Sequence, residues 1–179
     1  GVYSDNILGA KLALDHLWNL GHREIVCVAE QGARDRVLRV QGYHEWMHEH
    51  GLAARVMDSE AAPRAAFEVG CTLFTEPRVP TAIFAITDRL AMGLLGAAYH
   101  TRIAIPQQVS IIGYDNIEFS ESFVPPLTTV SQAPTLMGFT AAELLLDMIE
   151  QDLDVTTVED IVMIPELIIR ETAGPVRPH

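Results

Sequence analysis

Two groups of residues in this 179-residue chain have types and spacing that could do chemistry. His44-Glu45-Trp46-Met47-His48 fits the pattern HExxH. On a helix, positions i and i+4 put both imidazoles on one face, as a zinc hydrolase with Glu45 as its base requires. With 7 His and 14 Glu, random order gives this pattern in roughly one such sequence in fifty. No third ligand stands at a recognisable spacing downstream, so the segment reads as an exposed helix face and no metal is expected. The second group consists of polar residues that follow apolar runs: residues 30–39, with Asp35 and Arg39, then Thr87-Asp88, then Asp115-Asn116. Spacing suggests no nucleophile–His–Asp arrangement, and no enzyme is expected.

The elements that must position these residues alternate. Asp5 can cap a helix to Leu20, whose stripe is Ala10, Ala13, Leu14 and Leu17. Ile25-Val26-Cys27-Val28-Ala29 reads as a strand buried on both faces. A helix over 36–50, a weak strand over 54–57 and a helix opening at Pro63 follow. Residues 82–86 form a further buried strand, and Thr87 and Asp88 cap a helix over 89–100. The next strand is 109–114, before a turn-rich stretch to Pro126 and a short strand over 128–130. Pro134 opens a helix with Met137, Ala141, Leu144, Leu145 and Met148 inside. Residues 161–170 are extended, interrupted by Pro165.

Strands alternating with helices of this length predict an α/β fold, a doubly wound parallel sheet with helices on both faces. In such sheets ligands bind beyond the carboxyl ends of the strands, where the second polar group lies. No strand is followed by GxGxxG or GxxxxGK[ST], so a nucleotide-phosphate cradle and other cofactors are not expected.

Composition narrows the function classes. Hydrophobic residues make up 49% and charged residues 20%, a globular balance. The net charge of −12 argues against this chain holding nucleic acid by itself. Eleven of the twelve basic residues are Arg, the exception being Lys11, which suits forked recognition of polar ligands or reflects genome bias. Cys27 and Cys71 sit in no CxxC pair and read as buried reduced thiols of a cytoplasmic protein. Apolar runs are too short for a membrane span. The start lacks Met, a basic n-region and an apolar h-region, so the chain reads as a piece of a longer protein without a visible signal peptide.

Six segments, in order, resemble the LacI/GalR family of bacterial transcription regulators. They are Asp5-Asn6-Ile7-Leu8-Gly9, His16-Leu17-Trp18-Asn19-Leu20-Gly21-His22-Arg23-Glu24-Ile25, Arg39-Val40-Gln41-Gly42-Tyr43, Val79-Pro80-Thr81-Ala82-Ile83-Phe84, Val109-Ser110-Ile111-Ile112-Gly113-Tyr114-Asp115-Asn116 and Pro125-Pro126-Leu127-Thr128-Thr129-Val130. The resemblance implies one lobe of a two-lobed, periplasmic-binding-protein-like effector domain, with a sugar-like effector between the lobes. It implies operator DNA bound by an N-terminal helix-turn-helix that this chain does not contain. It places 1–132 as the C-terminal lobe, 133–160 as a crossing segment and helix of the mostly absent N-terminal lobe, and 161–179 as a returning strand and tail.

Residue by residue, the resemblance puts Arg39 where the family clamps the effector and Asp115 where an acid accepts from it. Thr87 takes a position often held by Asn. Asp35 lies one turn before Arg39, Gln132 on the inter-lobe crossing and Asp5 near the cleft mouth. Ala61-Ala62 and Pro134 stand where the family often has aromatics. A secreted sugar-binding protein of similar fold is the alternative, which Leu20-Gly21-His22 and the Pro125-Pro126 segment disfavour.

The helix over 89–100 has a stripe of Leu90, Gly93, Leu94 and Ala97 and a second of Met92, Leu95 and Tyr99. A helix apolar nearly all round is buried on both sides. Phe119 and Phe123 add apolar surface in the loop beyond Asp115, so a homodimer built on Met92, Leu95, Tyr99, Phe119 and Phe123 is expected.

Overall fold

The computed structural model describes residues 1–30, 32, 34–150 and 159–177. The elements in chain order are β1 (Val2–Ser4), α1 (Asn6–Asn19), β2 (Ile25–Glu30), α2 (Arg34–Glu49), β3 (Arg55–Ser59), α3 (Pro63–Phe74), β4 (Ala82–Ala85) and α4 (Asp88–Thr101). Then come β5 (Ser110–Asp115), a 3-10 turn (Glu118–Ser122), β6 (Thr128–Ser131), α5 (Pro134–Glu150), β7 (Ile161–Met163) and β8 (Glu166–Ile168). The main sheet has the order β3-β2-β4-β5-β6-β8; its pairs are parallel except for β8, antiparallel on the β6 edge. Helices α1 and α2 pack together on one face, and α3 and α4 together on the other.

Every residue of β2 and β4 is buried, as expected for strands covered on both faces. The chain runs outward from β2 to β3, then returns across β2 to β4. The strand order therefore reverses between β2 and β4, and a crevice opens beyond their carboxyl ends. Side chains on the two helix pairs close the core, with Trp46, Tyr43, Tyr114, Phe84, Leu14 and Leu17 its largest fully buried members.

Two features differ from the sequence expectation. Strand β1 is not anticipated, because three residues carry no readable period; it pairs in parallel with β7, Val2 opposite Ile161. Helix α5 forms as expected but has no fully buried residue: of its expected inner stripe, Met137, Leu144 and Met148 are half-buried, and Ala141 and Leu145 are exposed. Apart from β1, few described residues lie across it, so an apolar stripe has little to bury against. The last part of the expected crossing segment, 151–158, lies outside the described residues.

Beyond β8 the chain crosses the opposite end of the sheet. Ile111 N donates to the Thr172 carbonyl at 2.8 Å, and Val176 N donates to the Leu20 carbonyl at 2.9 Å. No helix among the described residues is long and apolar enough to cross a membrane.

Candidate effector cleft

The crevice is organised by Arg39, which projects from α2, the helix after β2. Its side chain is 1% exposed. Nε donates to Asn6 Oδ1 at 2.9 Å. Nη1 donates to the Ile86 carbonyl at 2.8 Å and to Asp115 Oδ1 at 2.9 Å. Nη2 reaches Asp35 Oδ2 at 3.4 Å. The guanidinium lies 3.8 Å above the Tyr114 ring centroid, a cation–π contact to which a planar guanidinium is well suited. One buried arginine thus ties together α1, α2, the end of β4 and the end of β5.

Asp115 ends β5. Its Oδ1 also accepts from Gln132 Nε2 at 2.8 Å, so the crossing after β6 reaches the same oxygen. The backbone here is left-handed, with φ of 113° at Asp115 and 51° at Asn116. Ala133, next to Gln132, has φ of 52°. Such conformations in residues other than glycine cost about 1–3 kcal/mol each and cluster at ligand sites. Burial raises the Asp115 carboxyl above its ordinary range, and the Arg39 charge beside it pulls the other way. Burial likewise pushes the Tyr114 phenol up to about 12, so it stays a neutral O–H at physiological pH.

The structure brings together Arg39, Asp115, Asp35 and Gln132. Asp35 is the most open of the four, with its side chain 43% exposed. Thr87 lies beside Ile86, but its hydroxyl accepts from Leu90 N at 3.4 Å as the cap of α4. Asp5 caps α1, its Oδ1 accepting from Leu8 N at 2.9 Å. Neither side chain makes a hydrogen bond to the Arg39 cluster. Sequence reasoning assigns no role to Asn6 and Tyr114, although both stand inside the quoted family segments. It also misses the pairing of buried Glu30 with Arg36 at 2.8 Å.

The cluster presents a fork, carboxylates and an amide within one crevice. That set matches vicinal hydroxyls, each of which both donates and accepts. The HExxH side chains sit elsewhere. His44 and His48 are exposed, and Glu45 pairs with Lys11 at 3.5 Å and Gln41 at 2.8 Å. Among the described residues no group of three or more His, Cys, Asp or Glu could hold a metal. Of the residues expected at a dimer face, Tyr99 is 90% and Phe119 66% exposed, and Met92 is also exposed. Leu95 and Phe123 are half-buried against the core. Val124, given no role from sequence, is 93% exposed beside them in sequence.

Residues 14–173 match the family described as "Periplasmic binding protein-like domain". The HTH-type transcriptional repressor PurR of Actinobacillus pleuropneumoniae serotype 3 is 34% identical over 181 residues, covering 95% of this chain and 53% of that protein. The chain therefore spans about half the length of the curated relatives it matches. A LacI family transcriptional regulator from Enterococcus faecium, solved with bound ribose, superposes with a TM-score of 0.87 at 28% identity, over 98% of this chain and 66% of that one. A LacI regulator from a Rhodococcus species gives 0.87 at 34%, over 97% and 64%. The dimeric Lac repressor with an 11-residue C-terminal deletion gives 0.90 at 26%, over 98% and 64%. With the reversed-order parallel sheet and its buried arginine, these matches establish that the chain belongs to the periplasmic-binding-protein-like domain family and is a C-terminal effector-binding region of the LacI/GalR type.

Proposed function

We propose that this chain is the greater part of the effector-sensing domain of a cytoplasmic transcription repressor, and that it is not an enzyme. The observation that carries the reading is the buried Arg39–Asp115–Gln132 cluster, with Asp35 at its open side, at the carboxyl ends of a parallel sheet where the strand order reverses. Its effector is a hydroxyl-rich small molecule, a sugar or related metabolite. Asp115 and Asp35 accept from it, Gln132 donates, Arg39 holds Asp115 in place and offers the effector the one remaining Nη2 N–H, and Asp5 and Thr87 border the site. Residues 1–132 form one lobe, 133–160 belong to a second lobe, and 161–179 return to the first.

The second lobe and the operator-binding head belong to the longer protein. Two such proteins pair through Met92, Leu95, Tyr99, Phe119 and Phe123. An effector that binds one lobe arrangement better than the other shifts the population of DNA-binding geometries by its difference in affinity. Titration calorimetry of the full-length protein against a panel of pentoses and hexoses, D-ribose first, tests this. Asp115→Asn keeps the side-chain shape but removes the charge, and is expected to weaken the best ligand by about 1.5–3 kcal/mol. Unchanged affinity in this variant would falsify the site.

A further inference from the structure

The loop that leaves the cleft carries the exposed Phe119, and the side chains of Asp88 and Arg170 hold it on either side of that residue. Asp88, fully buried at the start of α4, accepts from Ile117 N at 2.9 Å and from the Thr129 hydroxyl. Arg170, two residues beyond β8, donates to Ser120 Oγ at 3.1 Å, to the Leu127 carbonyl at 2.7 Å and to Asn116 Oδ1 at 2.9 Å. The Ser120 hydroxyl, itself fully buried, reaches Asn116 Oδ1 at 3.3 Å, and Leu127 N donates to the Ser120 carbonyl at 2.9 Å. Residues 116–127 are therefore closed on themselves around one guanidinium. The Arg170 backbone N–H donates to Thr128 Oγ1 at 2.9 Å, which holds the arginine to β6.

The position of Arg170 in the chain is what makes this arrangement more than a loop staple. Strand β7 pairs with β1, and β8 follows after two residues and pairs with β6. Any change in the angle of the β1–β7 pair is passed along this short connection to β8 and then to the Arg170 backbone. The guanidinium meets three acceptors on the loop, so a shift of its base moves Asn116, Ser120 and Leu127 together. Asn116 adjoins the cleft carboxylate of Asp115, and Ser120 adjoins Phe119.

We propose that Arg170 is a positioning residue that couples the crossing strands and the Asp115 end of the cleft to the apolar face at Phe119 and Phe123. The coupling rests on the reading of that face as the dimer contact. It touches neither the effector nor the partner, and acts only through the loop it holds.

The test uses the full-length protein, sedimentation equilibrium and amide hydrogen exchange. Arg170→Lys keeps the charge but cannot reach three separated acceptors. Asn116→Gly keeps a left-handed backbone and removes the carboxamide that links Arg170 to Ser120. Both variants are expected to raise the dimer dissociation constant, Arg170→Lys by about tenfold. Amides of 117–123 should exchange faster, and those of β2 and β4 should keep their wild-type rates. A dimeric wild type whose constant is unmoved in either folded variant overturns the coupling alone. Faster exchange spread evenly over the sheet also overturns it, since that is the signature of simple destabilisation. A wild type that stays monomeric overturns the dimer reading together with the coupling. If Arg170→Lys does not fold, Asn116→Gly decides.

Discussion

Arg39 has four acceptors within the chain before any effector arrives, so it is a positioning group for Asp115 as much as a contact. Removing a partner from a buried charge pair costs about 3–5 kcal/mol, because the remaining charge is left uncompensated. Arg39→Ala is therefore expected to lower unfolding stability by about that amount in urea denaturation, besides any loss of binding. A loss below about 1 kcal/mol, the value of a surface pair, would show that the cluster is solvated. The role of Arg39 is legible from the sequence only through the family segment. Its burial is not, because composition and period say nothing about which charge is covered. Asp88 is the second case. Burial pushes its carboxyl from 3.8 up to about 7, with Asp115 adding to the rise and Thr129, Ile117 N and Arg170 opposing it. The folded chain then holds this proton more tightly than the unfolded chain. The contribution is complete below pH 3.8 and is lost as pH rises to about 7. Asp88→Asn should reduce the fall in stability over that window by up to about one proton, about 1.4 kcal/mol per pH unit. Parallel slopes for wild type and variant across the window would refute the assignment.

At the scale of elements, the sequence pattern predicts the α-helices and strands from α1 to β6 to within a few residues, because most of them bury the apolar residues that mark them; edge strand β3, with no buried residue, is the weakest of these, and the 3-10 turn reads only as turn-rich. What the pattern leaves out is instructive. Within the stripe of Leu90, Gly93, Leu94 and Ala97 on α4, Gly93 and Ala97 face α3. A Cβ on Gly93 would stand 2.2 Å from the Pro63 carbonyl and 2.8 Å from the Ala66 Cβ, and one on Gly70 would stand 2.6 Å from the Ala97 Cβ. The two helices approach as closely as their backbones allow, and no period in either helix announces which neighbour that face meets. Gly93→Ala forces α3 and α4 apart and should cost about 1–3 kcal/mol, the range for overpacking. Thermal unfolding measures it. A variant as stable as wild type would mean that the helices have room to separate. The small residues are thus part of what positions Thr87 and Asp88 at the head of α4.

For the whole molecule, the architecture is legible because strands buried on both faces leave few ways to cover a sheet, whereas the fate of α5 depends on chain that follows other rules. Leu136, Phe139, Leu145, Leu146 and Ile149 are all more than half exposed. A contiguous apolar face of this kind on a folded chain marks a contact surface. The proposed second lobe supplies that contact in the longer protein. The 179-residue chain alone lacks it and still carries the separate patch of Met92, Tyr99 and Phe119. Two distinct sticky faces permit association beyond a pair, since contacts that do not close on themselves propagate. Light scattering of the 179-residue chain is therefore expected to show species larger than a dimer, growing with concentration. Phe139→Glu with Ile149→Glu should bring the mass down to a dimer. Tyr99→Glu alone should leave association through α5 and remove the other mode. The two sets of changes act on different faces, so combining them should leave a monomer. A wild-type chain that scatters as a monomer at high concentration would mean that α5 finds cover within its own chain, and the exposed stripe would lose its meaning as the seat of a second lobe.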